Sequence, residues 1–186
     1  TSRAGSLMIA VTGTGVGQGN GAGVGVSVSV SEKSHIARAY DADLSASTLD
    51  IAAKASTLAV DVAVGAAVST DNSNFSGVGS AAATSNGNVT EARLGKSGTT
   101  TTVNLSSTAD DALKVRAEDD TQNWTVAGNV AVNVQSGAAI GLALGVSESN
   151  ARTEAIVERA TVTNEGGNQV TASSDADFFT LAISGG

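Results

Sequence analysis

The sequence contains no cysteine and no proline among its 186 residues, and aromatic side chains are few: one Trp, one Tyr and three Phe. Without cysteine there is no disulfide framework, no thiol nucleophile and no thiolate metal site. That absence also suits export through a bacterial channel that passes only unfolded polypeptide. Without proline the chain lacks the residue that most firmly blocks a β-ladder. Scarce aromatics and a single Met exclude a thick interior filled by large side chains. No apolar run approaches the roughly 20 residues of a spanning helix, and the first residues do not form a basic, apolar signal segment. A porin-like barrel would want aromatic girdles, which are missing. Positive charge is scarce too, with ten Lys and Arg against 18 Asp and Glu and a net charge of −8. The acidity argues against nucleic acid and anionic membrane surfaces as partners, and no membrane insertion is expected.

Small residues fill the space these absences leave. Glycine alone contributes 22 residues, 41% of the chain is apolar and only 15% is charged. This is too apolar and too weakly charged for ordinary disorder. It suits a thin core between closely spaced backbones.

The chain repeats itself. Gly23 to Glu32, Ser76 to Thr84 and Ala139 to Glu148 share a Gly/Ser/Ala/Val pattern, and lead to Ile36-Ala37-Arg38-Ala39, Glu91-Ala92-Arg93-Leu94 and Glu154-Ala155-Ile156-Val157. A second block follows at Leu49 to Ala55, Leu113 to Ala117 and Gln169 to Ala172. A third lies at Leu58 to Gly65, Trp124 to Gly128 and Thr180 to Gly185, and Leu7 to Gly13 matches it. The unit is about 55–65 residues, within the range of repeat architectures, with approximate repeats 1–57, 58–123 and 124–186. Since the chain begins and ends at nearly the same phase, it reads as a single solenoid segment, a window of a longer array.

Val24, Val26, Val28 and Val30 alternate with Gly and Ser, Val60, Val62 and Val64 with Ala and Asp, and Val130, Val132 and Val134 with Ala and Asn. Period two predicts strands with one apolar face. With that face inward, Val28→Asp and Val132→Asp disrupt the fold and Ser27→Asp is tolerated. Turns are expected at 12–21, 71–74, 86–88, 96–98, 135–137 and 164–168. Short helices compete with strand only at 50–59 and 109–118. The fold class is all-β, a parallel β-solenoid. Coils of roughly 20–25 residues would give about eight coils and a length of about 40 Å. Stacked antiparallel hairpins are the rival.

Chemical candidates are sparse, and no catalytic, cofactor-binding or metal-binding residue is assigned. Asp110-Asp111, Glu118-Asp119-Asp120 and Asp175 with Asp177 are oxygen ligands of the kind calcium takes. They read as solvated turn residues, because the Gly-rich stretch 13–25 lacks the Asp of a calcium-binding β-roll. A sugar-cleaving carboxylate pair would need basic and aromatic neighbours, and the nearest aromatic is Trp124. His35, the one histidine, is expected at a surface or turn position. Gly13 to Gly19 precedes alternating Val rather than a helix, so it reads as a turn and not a dinucleotide loop. Trp124, Phe178 and Phe179 are expected in the core or between coils. Asn74, Asn88, Asn104 and Asn123 head Asn-x-Ser/Thr triplets, about as many as chance gives in so Ser/Thr-rich a chain. The Thr99–Thr102 run lacks the regular array of an ice-binding face.

The sequences Val126 to Val134, Ala139 to Leu144, Thr153 to Val157, Ala160 to Thr163 and Val170 to Ser174 resemble the repeats of very large secreted filamentous adhesins of Gram-negative bacteria. These are the filamentous-haemagglutinin and leukotoxin-like exoproteins. The resemblance extends over nearly the whole chain, most clearly from Leu113 onward. It implies a right-handed β-helical shaft, export across the outer membrane, and adhesion or self-assembly outside the cell. It carries over no catalytic residues. The implied partners are neighbouring repeats, further copies stacked head to tail, and a host-surface glycan or protein.

Overall fold

A computed structural model describes residues 2–16, 21–69, 75–134 and 137–186, with side chains from residue 21 onward. Within these residues the chain forms thirteen strands and no helix. They run as β1 (Ser2–Val16), β2 (Gly21–Ser31), β3 (Ser34–Ala39), β4 (Asp43–Ala46), β5 (Leu49–Ser69), β6 (Phe75–Asn86), β7 (Val89–Leu94), β8 (Thr101–Leu105), β9 (Leu113–Asn133), β10 (Ala138–Ser149), β11 (Arg152–Val157), β12 (Ala160–Thr163) and β13 (Asn168–Gly185).

Every pairing is parallel and joins equivalent strands of successive repeats. The sheets are β1-β5-β9-β13, β2-β6-β10, β3-β7-β11 and β4-β8-β12. This is a parallel β-solenoid, and stacked antiparallel hairpins are excluded for the described strands. The repeat blocks fall into register: Leu7 pairs with Leu58, Val60 with Trp124, Trp124 with Phe179, and Ala37 with Ala92. Where a helix competed, at 50–59 and 109–118, the ladders of β5 and β9 take most of both segments.

Coil size corrects the sequence estimate. One coil is one whole repeat, since Leu49 pairs with Leu113 and Leu113 with Asn168. Four strand layers span about 14 Å along the stacking axis, against the expected 40 Å. Length has gone into the coil instead, because β5 and β9 are each 21 residues, about 65 Å of strand. The long sheet packs across the coil on the β2 and β3 sheets, and the β4 sheet closes one end. We call the closed end the base and the β2-facing end the slab.

Corners follow local chemistry. Base corners between the β3 and β4 sheets use left-handed residues in all three coils: Asp41 (φ 55°), Gly95 (φ 82°) and Arg159 (φ 48°). At Gly95 a Cβ would collide with the Glu158 carbonyl of the next coil. The expected turns at 86–88, 96–98 and 164–168 coincide with strand ends. The expected turn at 12–21 is corrected: strand β1 continues to Val16 and β2 begins at Gly21, so Gly13 and Gly15 are ladder residues. Residues 17–20, 71–74 and 135–136 lie outside the described residues.

The inward face is also corrected. In β2, Ser27 is 3% exposed and Val28 62%. Gly25, Ser27, Ser29 and Ser31 point inward while Val24, Val26, Val28 and Val30 point out. Val132 is likewise exposed. The physical reason is spacing, because two long sheets that approach closely leave room for Gly, Ser and Ala but not for a continuous Val face. A one-residue offset reinforces it. Gly23-Val24-Gly25 and Gly77-Val78-Gly79 look alike, yet Gly23 pairs with Val78, which places Val78 inward and Val24 outward.

Candidate functional site

The two ends of the coil have different interiors. In the base, Ile51, Leu94, Val103, Leu105, Leu113 and Val115 form a buried apolar cluster where three sheets meet. In the slab only two sheets meet, and the inward rows are largely polar. Ser27 Oγ donates to Asp61 Oδ1, and Asn86 Nδ2 donates to Asn123 Oδ1. The Thr84 and Thr125 hydroxyls lie 2.8 Å apart, and Asn129 Nδ2 donates to Ser80 Oγ at 3.3 Å. At the boundary, Asn88 donates to Thr57 at 3.0 Å, while Thr90 and Thr121 donate to the two oxygens of Asp119 at 3.2 and 2.7 Å. These bonds satisfy part of a set of groups that burial penalises by roughly 1–3 kcal/mol each when unpaired, while Asp61 Oδ2 and the Oδ1 atoms of Asn86, Asn88 and Asn129 have no hydrogen-bond partner.

Outside, the slab is apolar on both faces. The long sheet exposes Val64, Val68, Trp124, Val130, Val132, Phe179, Leu181 and Ile183. The opposite face has two ridges, Val24 to Val30 on β2 and Ile140 to Val146 on β10, flanking a valley of Gly77, Gly79, Ala81 and Ala83 on β6. An apolar hollow of about 280 Å³ at the valley's end is lined by Val24, Phe75, Ile140 and Leu142 among others. Charge is absent from these strand segments: across 58–69, 21–31, 75–86, 121–133, 138–147 and 178–185 the one ionisable side chain is Asp61, which points inward.

Charged groups gather in the base. Arg38 grips Glu91 through both Nε and Nη2 at 2.9 Å, and Arg93 Nε donates to the same carboxylate at 2.7 Å. Arg93 Nη1 continues to Glu158 at 2.8 Å. Hydrogen bonding from Arg38, joined by Arg93, outweighs burial and lowers the Glu91 pKa from 4.5 to about 2. Beside this chain of ion pairs, Arg38, Tyr40, Arg93 and Lys96 line a cleft of about 260 Å³. Lys96 Nζ sits 5.3 Å from the Tyr40 ring centroid, a cation–π contact. A concentration of cations on so acidic a chain can hold an anionic group.

Other sequence candidates fall where the strands place them. Asp110 and Asp111 are turn residues, and Lys114 pairs with Asp111. Asp119 departs from the solvated-turn expectation: it lies on an inward row of β9 and is buried. Asp175 and Asp177 are exposed strand residues on β13. Among the described residues no three His, Asp or Glu groups cluster as metal ligands. His35 is buried in β3, not at a surface or turn, because it takes an inward row paired with Thr90, and its Nε2 has no hydrogen-bond partner. Trp124 and Phe179 do pack between coils, with centroids 5.2 Å apart, but on the outer face. Phe178 falls on the inward row above Asn123 and is half exposed. Of the Asn-x-Ser/Thr sites, Asn88 and Asn123 are fully buried, Asn104 is exposed and Asn74 lies outside the described residues. Thr99 and Thr100 form a turn and only Thr101 and Thr102 join β8, so no threonine array exists there.

Sequence reading missed the basic cleft. A signal was present, since Arg38 and Arg93 occupy the same position of successive repeats and stack in register. Lys96 and Tyr40 come from corners whose lengths differ between coils, and no periodicity brings them together.

Fold and surfaces together define a non-globular class of protein, a flattened parallel β-solenoid with one coil per repeat. No protein-family model, curated protein or solved structure matches the chain.

Proposed function

We propose that this chain is a non-catalytic shaft segment of a secreted or cell-surface filamentous adhesin of a Gram-negative bacterium. The observation that carries this reading is the register: each repeat closes one coil and lays its strands on the equivalent strands of the next. Such a unit extends by addition, because the ladder edge left free on the last coil is complementary to the one left free on the first. Its mechanics come from backbone hydrogen bonds along the rod. Electron microscopy of arrays of increasing repeat number tests it. A rod that lengthens by about 4.8 Å per repeat supports the shaft, and compact particles of constant length overturn it.

A second reading, a module binding a host-surface glycan, is favoured by the Arg38-Tyr40-Arg93-Lys96 cleft. Cations beside an aromatic ring suit a sugar bearing carboxylate or sulfate. Titration with sialylated and sulfated oligosaccharides tests it: Lys96→Ala and Tyr40→Ala weaken binding if the cleft is the site. Equal binding by the variants assigns recognition elsewhere.

A further inference from the structure

We infer that the slab half of the coil is a lipid-contacting element whose two outer faces sit in the hydrocarbon of a bilayer, with the charged base outside it. This goes beyond the shaft reading and departs from the sequence expectation of no membrane insertion. That expectation rested on spanning helices, anionic surfaces and girdled barrels, none of which describes a two-sided sheet slab.

Four observations carry it. Both faces of the slab are apolar over the same stretch, and a protein partner on one face would leave the other wet; lipid covers both. The apolar rows have a bounded height. From Val24 to Val30 and Ile140 to Val146 they span about 20 Å, and from Trp124 to Val134 about 33 Å, values that bracket the roughly 25 Å of the lipid-facing band of membrane β-proteins. Among the described side chains no outward charge interrupts the band, while the charged residues of the base begin directly beyond it at Glu32, Asp120, Glu148 and Asp177. Finally, the polar inward rows bond to one another through Ser27–Asp61, Thr84–Thr125 and Asn86–Asn123. Apolar outside and polar inside is the alternation lipid selects. Aromatic rings mark the limits of the band, Trp124 and Phe179 at the base side and Phe75 at the far end. In lipid the edge ladders of β1, β2, β10 and β13 must be paired, by further coils of the array or by a second copy stacked on it.

Trp124, the one tryptophan, reports directly. Phosphatidylcholine vesicles are added to the protein, and emission and vesicle flotation are followed. A blue shift, quenching by brominated phosphatidylcholine and co-flotation are expected. Val26→Lys and Leu144→Lys, both outward, each weaken flotation by more than about tenfold. Ser45→Lys, exposed on the base strand β4, leaves it unchanged, and circular dichroism confirms that all three variants keep their strand content. Unchanged emission with vesicles overturns the proposal, as does flotation that survives both slab lysines. A blue shift that needs high protein concentration but no vesicles also overturns it and assigns the faces to a second copy.

Discussion

The base and the slab are built from the same repeat and stacked by the same ladders, yet they solve burial in opposite ways. In the base three sheets converge, and the space between them holds Leu94, Leu113, Val103 and Val115. In the slab two long sheets approach without a third, so apart from Val78 the residues between them are small or hydrogen-bonding, and the rows of larger aliphatics are turned outward. The number of walls around an interior, more than the hydrophobicity of the strand, decides which face of an alternating sequence goes in. Apolar burial at roughly 25 cal/mol per Å² concentrates in the base. Cohesion in the slab rests on ladders and side-chain hydrogen bonds, each contributing about 1 kcal/mol net.

The difference can be broken most forcefully at neighbouring residues of one strand. Ser27→Asp places a second buried carboxylate beside Asp61, and a loss of more than about 3 kcal/mol is expected in urea denaturation. Val28→Asp, one residue away, leaves the fold within about 1 kcal/mol of the parent. Equal losses would return the Val face to the interior. In the base, Leu94→Ala opens a cavity and costs about 2–5 kcal/mol, whereas Leu142→Ala on the slab exterior costs less than about 1 kcal/mol by the same measurement.

Acid sharpens the contrast next. The folded Glu91 pKa lies near 2, below its ordinary 4.5, so its contribution is complete above about pH 5 and is lost as the pH falls toward 2. Melting followed from pH 6 to pH 2 reads a loss of roughly 2–3 kcal/mol from this carboxylate. Glu91→Gln shows a flatter acid limb, and an unchanged limb would remove Glu91 from the base's support. The smallest effect belongs to the half-exposed Lys54–Glu118 pair at 2.7 Å. Lys54→Ala shifts stability by less than about 1 kcal/mol, and by less still in high salt.

Much of the fold is legible in the sequence. The repeat blocks set the ladder register, as with Leu7 over Leu58 and Ala37 over Ala92, because stacking in register is what makes a repeat repeat. Period two marks strands but is symmetric between faces, so it could not say whether Ser27 or Val28 is buried. Hydrophobicity broke that tie wrongly, since the decisive quantity is the gap between sheets, a long-range property. Coil size failed for a related reason: turn-like clusters are read locally, while corners such as Asp41 and Arg159 bend the chain without glycine or proline. The basic cleft depends on Tyr40 and Lys96 leaving differently sized corners and meeting in space.

A coil about 65 Å long between sheets about 10 Å apart makes a ribbon when stacked, not a cylinder. Resistance to bending grows steeply with the dimension lying in the plane of the bend. Such a ribbon flexes readily across its thin direction and strongly opposes bending across its broad one. A shaft made this way behaves like a leaf spring: it yields toward a surface on either flat side and holds its line edge-on. Each repeat of this chain therefore adds little reach, and most of its residues are spent on giving the structure a direction in which it will not give way.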